Sequence, residues 1–237
     1  MKLIADIRYY ESMSVNLETP RFSGTGIECD TYHFDYKQIA THVLRFVLKL
    51  REAGYMMERD HLYIILTPVL IDGSVQIGRV SPYKEAAFYQ PVFLGMEIAR
   101  FHELPEQERV EMLIRYTSKI MMEHFSETVE ERVLIETVAE QALLLGQDLE
   151  IKFKEKAGNG ISAKIIVRVV SFDTLASVLR VEKAESAPVD YTIRSMRFDE
   201  FLNQIGTISI TKSAVTIKPR TNIFAKNSGL TALSISI

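Results

Sequence analysis

The chain has 237 residues and a mass of 27.1 kDa, with 47% hydrophobic and 25% charged side chains and a formal net charge of −3. That balance is the one of an ordinary globular protein with a real core, and it excludes a disordered, collagen-like or disulfide-stapled chain. The single cysteine, Cys29, allows no intrachain disulfide and could give a zinc site only one thiolate.

In chain order, Lys2 to Tyr9 alternates, with Leu3, Ala5, Ile7 and Tyr9 on one side, and predicts a strand. Charges at Asp6 and Arg8 precede any apolar run of signal-peptide length, and no later run reaches the roughly 18–20 apolar residues of a membrane span. The expectation is a cytoplasmic protein with no membrane partner. Residues 11–26 are turn-rich, and Ile27 to Phe34 reads as a second strand. Asp35 and Gln38 then form a capping-box pattern, and Ile39, Val43, Phe46, Val47 and Leu50 share one face of a helix over 36–53. Gly54 suits its left-handed C-terminal cap.

His61 to Ile71 predicts an apolar strand, Asp72-Gly73 a hairpin turn, and Val75 to Val80 the return strand. Val92 to His102 reads as a further strand. Pro105 fits the first position of a helix over 105–125, with Glu106 and Glu108 in its first turn. Thr128 and Glu131 predict a second capping box, opening a helix over 129–145 that Gly146 stops.

After Gly146 the period changes from helical to alternating. Leu149, Ile151 and Phe153 lead into Gly158-Asn159-Gly160, a hairpin turn, with Ala163 to Phe172 returning. Val189 to Phe198, Thr207 to Lys218 and Leu230 to Ile237 predict more strands, with a short helix near Asp199 to Gln204. The fold class expected is α+β. It has a largely antiparallel sheet with three helices in an N-terminal domain, residues 1–146, followed by a mostly β domain or subdomain, residues 147–237.

Charge follows the same division. Residues 1–146 carry 15 Lys/Arg against 22 Asp/Glu, and residues 147–237 carry 13 against 9. The segment Glu103 to Glu140 holds ten acidic and four basic residues, whereas no acidic side chain occurs from Phe201 onward.

Recognisable catalytic patterns are missing. The sequence has no phosphate-binding glycine loop, no dinucleotide fingerprint, no nucleophile elbow, no His-Glu-x-x-His and no Cys-x-x-Cys. Neither a cofactor nor a metal is expected. His33 stands near Cys29, Asp30 and Asp35, but a strand splits such neighbours between two faces. His42, His61, His102 and His124 suit caps or surface positions, with a His102–His124 catalytic pair the alternative.

Two functions follow. The first is a non-enzymatic protein-binding protein, with Glu123, Glu127, Glu130 and Glu131 steering a basic protein partner. A nuclease toxin has the right sign, which would make this an immunity-type protein. The alternative is a hydrolase with a site assembled from scattered groups such as Glu28, Asp30, His33 and Asp35. Nucleic acid is not the expected partner at an isoelectric point near 6.0, and a homo-oligomer is compatible with the sequence.

Overall fold

The computed structural model describes residues 1–12, 37–80, 89–171, 174–184 and 186–237. The fold is mixed α+β, and the chain divides into two compact units, Met1–Gly146 and Gln147–Ile237.

The first unit is built on a four-stranded sheet of β2 (Asp6–Glu11), β4 (His61–Thr67), β5 (Val75–Ile77) and β6 (Tyr89–Gly95), in the spatial order β2-β4-β6-β5. β1 (Lys2–Leu3) and β3 (Met56–Met57) make a separate antiparallel pair. β2 pairs with β4 in parallel, Asp6 opposite His61, and β4 pairs with β6 in parallel, His61 opposite Tyr89. Only β5 runs antiparallel, Val75 opposite Leu94. The crossover from β2 to β4 carries α1 (Lys37–Glu52), whose Ile39, Val43, Phe46, Val47 and Leu50 are buried. Gly54 closes α1 at φ +81°, a left-handed conformation that costs glycine no Cβ strain.

α2 (Ile98–Glu103), α3 (Glu106–His124) and α4 (Val129–Leu145) follow the sheet. α3 and α4 pack on each other and on α1. α3 buries Val110, Leu113, Ile114, Thr117, Ile120 and Met121, and α4 buries Ile135, Val138, Ala139 and Ala142. A short hydrogen bond between the Tyr9 hydroxyl and Thr117 Oγ1 ties β2 to α3, and burial pushes the Tyr9 phenol well above its usual range. Beside β6 the backbone approaches very closely. A Cβ on Gly95 would lie 1.9 Å from the Ile71 carbonyl oxygen, so only glycine fits there.

The second unit opens with an antiparallel meander of β7 (Ile151–Gly158), β8 (Ile161–Ser171), β9 (Thr174–Lys183) and β10 (Val189–Arg197). The β7–β8 turn uses Asn159 and Gly160, both at positive φ, 54° and 74°. Ile161, Ala163, Ile165, Val167 and Val169 alternate inward along β8, facing Leu175, Leu179 and Val181 of β9. α5 (Phe198–Gln204) precedes a three-stranded antiparallel sheet of β11 (Thr207–Ile210), β12 (Ala214–Lys218) and β13 (Leu233–Ser236), with α6 (Ile223–Asn227) between the last two strands. The Lys154 ammonium donates to the Gly206 carbonyl, and Asn159 Nδ2 donates to the Ile210 carbonyl at 3.0 Å, joining β7 and its turn to β11. No helix among the described residues is long and apolar enough to cross a membrane.

Four sequence expectations need correction. The sheet of the first unit is mainly parallel where a largely antiparallel one was expected, because the α1 segment is a crossover between parallel neighbours and not an element beside a hairpin. Asp72-Gly73 does not return the chain onto β4. β4 stops at Thr67, and Val75–Ile77 pairs with β6. The strand expected over Val92 to His102 ends at Gly95, and Ile98 to Glu103 turns into α2 with Phe101 buried, so the described residues of this unit hold four helices where three were expected. Thr207 to Lys218 is two strands, since the Thr211 hydroxyl accepts from Ala214 N at 3.0 Å and turns the chain. The strand expected at Ile27 to Phe34 lies outside the described residues.

Candidate interaction surface

The acidic segment runs from the end of α2 through α3, the turn after it, and α4. Pro105 starts α3 with a fixed φ of −53°, and Glu106 and Glu108 sit in the first turn, where the helix dipole favours carboxylates. α3 ends at His124 with Phe125 as its C-cap, and Ser126 Oγ donates to the Met122 carbonyl at 2.6 Å. α4 opens with a complete capping box. Thr128 Oγ1 accepts from Glu131 N at 3.1 Å, while Glu131 Oε2 accepts from Glu127 N at 2.7 Å and Thr128 N at 3.3 Å.

The structure brings the four predicted carboxylates to this one turn, with unequal duties. Glu123 lies in the last turn of α3, half exposed, 3.9 Å from Lys119. Glu127 and Glu130 are exposed. Glu131 is committed to the cap, so its carboxylate holds the helix end together and is only partly available to a partner.

The outward side of α4 adds residues that the sequence reading missed. Val129, Val133, Glu136, Glu140 and Leu144 are all exposed and follow helical spacing along one side of α4. Val129, Val133 and Leu144 are 66%, 55% and 85% exposed. A search for buried stripes finds the opposite, inward face of this helix. The outward stripe becomes visible only when apolar residues on the wrong face are treated as a signal.

Charge compensation differs sharply between the second unit and the acidic segment of the first. In the second unit Arg180 holds Glu150 and Asp190, each at 2.8 Å. There Lys152 holds Glu155 at 3.0 Å and Lys164 holds Glu182 at 2.6 Å. Asp199 and Glu200 are paired with Arg197 and Arg194. Asp190 and Glu155 are held below the usual carboxylate range, chiefly by hydrogen bonds from Arg180 and Lys152 respectively. Of the ten carboxylates from Glu103 to Glu140, only Glu123 has an ion pair among the described residues, and that one is long.

Among the described residues the histidines do not assemble a centre. His102 Nε2 lies 3.0 Å from Glu11 Oε1, where β2 ends, and His61 Nδ1 lies 3.1 Å from Asp60. His42 is half-buried beside Arg45, 3.3 Å away. Burial, and then the Arg45 charge, lowers its pKa to about 4. His124 is exposed and meets the Phe125 ring edge-on, whereas His102, the other member of the alternative pair, faces Glu11. Glu28, Cys29, Asp30, His33 and Asp35 lie outside the described residues. Among the described residues no group of three or more His, Cys, Asp or Glu side chains could hold a metal ion.

Comparison with protein-family models, with curated proteins and with solved structures returned no match for this chain.

Proposed function

We infer that the chain is a non-enzymatic protein-binding protein, working in the cytoplasm, whose α3–α4 surface receives a basic protein partner. The uncompensated carboxylates carry this reading. Like charges gathered with few counter-charges repel one another and weaken the compact state, and the same field attracts a basic partner and raises its association rate. Glu127, Glu130, Glu136 and Glu140 supply the field, and Val129, Val133 and Leu144 supply apolar contact in the same stripe. A partner with a phosphate-binding cleft, such as a nuclease toxin, matches both features, because a row of helical carboxylates can occupy the places of phosphates. That would make the chain an immunity-type protein.

The test is site-specific photo-crosslinking in cells. A photoreactive side chain at Glu130, Glu136 or Glu140 should capture a basic protein, and one at Val170 of β8 should not. Charge reversal at Glu130, Glu136 and Glu140 together should slow association at least tenfold at low salt and less at high salt. Capture of acidic proteins only, or capture from Val170 alone, would refute the reading.

A second reading, a hydrolase, is favoured by the Glu11–His102 pair, since a carboxylate facing an imidazole can orient a general base. On that reading His102→Gln abolishes a hydrolytic activity while the fold persists. Loss of binding without any activity to lose keeps the first.

A further inference from the structure

The second unit carries a surface of the opposite sign, independent of the α3–α4 face. Lys218 closes β12, Arg220 follows Pro219, and Lys226 lies on α6. All three are exposed, none has an ion pair among the described residues, and no acidic side chain occurs between Phe201 and Ile237. Between them stand Ile223 and Phe224, 66% and 69% exposed.

This exposure is built into the fold. Asn222 Oδ1 accepts from Ala225 N at 2.8 Å and caps α6. Asn222 Nδ2 donates to Asn203 Oδ1 of α5 at 2.8 Å, and Arg220 N donates to the Asn203 carbonyl at 2.7 Å. At the other end Gly229, at φ +62°, donates to the Lys226 carbonyl at 3.1 Å, and Leu230 N donates to the Ala225 carbonyl at 3.2 Å. Ala225 is 2% exposed and anchors the turn inward. Its two predecessors are thereby held outward on a turn fixed at both ends.

An apolar pair held out among cations needs an apolar host with anionic borders. Nucleic acid supplies phosphates and bases that can stack on Phe224, but no apolar host for Ile223. An anionic bilayer supplies both parts, headgroup charge at the surface and hydrocarbon a few ångströms below. We propose that Ile223 and Phe224, flanked by Lys218, Arg220 and Lys226, form an insertion site for anionic phospholipid bilayers, through which the chain adsorbs as a peripheral protein. Such adsorption needs no membrane-spanning segment.

The chain has no tryptophan, so Phe224→Trp creates a single emitter at the site. The full chain is mixed with phosphatidylcholine vesicles, with or without about 30 mol% phosphatidylserine as the source of anionic surface potential. The emission should shift to the blue, and doxyl-labelled lipid should quench it, with anionic vesicles alone. Soluble glycerophosphoserine should leave it unchanged, which separates a bilayer from a free headgroup. Val170→Trp, on an exposed position of β8, should not respond. In co-sedimentation, Phe224→Asp should weaken binding about tenfold or more. Replacing Lys218, Arg220 and Lys226 together by Gln should weaken it about a hundredfold, near fivefold for each cation. Because all these side chains are exposed, the variants should keep the parent circular dichroism. An unshifted emission from the Phe224→Trp variant on anionic vesicles would overturn the proposal. So would full binding by Phe224→Asp, which leaves surface attraction without insertion, or salt-sensitive self-association without vesicle binding, which assigns the patch to contacts between copies.

Discussion

Glu130 and Glu131 are neighbours in sequence and identical in chemistry, yet removing each should have a different consequence. Glu131 Oε2 accepts from Glu127 N at 2.7 Å and from Thr128 N at 3.3 Å, so Glu131→Ala frees the N-cap amide of α4 and the amide just before it. Both donors are near solvent and water takes them over, which holds the loss to about 1 kcal/mol, the usual cost of a lost cap. Removing a carboxylate from the positive end of the helix dipole adds about 0.5 kcal/mol. The total of about 1.5 kcal/mol should lower the thermal midpoint of the helical transition, followed by far-ultraviolet circular dichroism, by about 3–6 °C. Glu130 shares the first turn and so the dipole loss, but it has no hydrogen bond to lose and its removal relieves repulsion from nearby Glu127, so Glu130→Ala should stay within about 0.5 kcal/mol. Glu131→Gln keeps an acceptor and should lie between them. Equal midpoints for the Glu130 and Glu131 variants would refute the division between a capping and a free carboxylate. The same division bears on binding experiments: a charge-reversal set that includes Glu131 mixes lost recognition with a lost helix cap.

Other outcomes follow from the packing. The His42 pKa near 4 in the folded state lies below the unfolded value of about 6.5, so the neutral imidazole is favoured on folding. Its contribution is complete above pH 6.5 and is lost as pH falls from about 6.5 to 4. Solvent screening limits this to at most about 2 kcal/mol, and His42→Gln should flatten that part of a denaturation-versus-pH curve. Gly95→Ala puts a methyl 1.9 Å from the Ile71 carbonyl oxygen, in a turn that also bonds through Gly73 N to Gly95 O and Gly95 N to Ser74 O, both at 2.9 Å. It should cost about 3 kcal/mol, read as a lower denaturant midpoint. Tyr9→Phe leaves Thr117 Oγ1 donating to the Leu113 carbonyl at 2.7 Å and should cost about 1 kcal/mol, whereas Thr117→Val strands the buried Tyr9 hydroxyl and should cost about 2 kcal/mol in the same assay.

The helices were legible because their signals are local. The apolar spacing of α1, Pro105 at the start of α3 and the Thr128–Glu131 box of α4 each act within a few residues, and Gly146 ends α4 at φ +51°. Strand pairing was less legible, because partner choice is decided by distant residues. One clue was available: Leu62 to Leu66 is an unbroken apolar run, and all five side chains are buried. A strand covered on both faces is the mark of a parallel sheet, whereas a half-exposed antiparallel strand alternates as β8 does. The four glutamates at the α3–α4 turn could be found from composition, but which of them is spent on a cap depends on which carboxylate reaches which amide. Glu11 and His102 are far apart in sequence, and no spacing rule joins them.

The two sheets also differ in how far the chain must travel before a strand finds its neighbour. In the meander Gly158 meets Ile161 across a tight turn, whereas in the parallel sheet Asp6 must wait for His61. Loop-closure entropy is spent early for the second kind of contact and recovered late, so parallel pairing is intrinsically slow. On dilution from denaturant, amides of β7–β10 should gain protection from hydrogen exchange before those of β2, β4 and β6. During synthesis the order of emergence is reversed, since the slower half leaves the ribosome first. Its apolar β4 would then stay exposed longest, which makes Leu62 to Leu66 the segment where a chaperone would be most useful and aggregation would start.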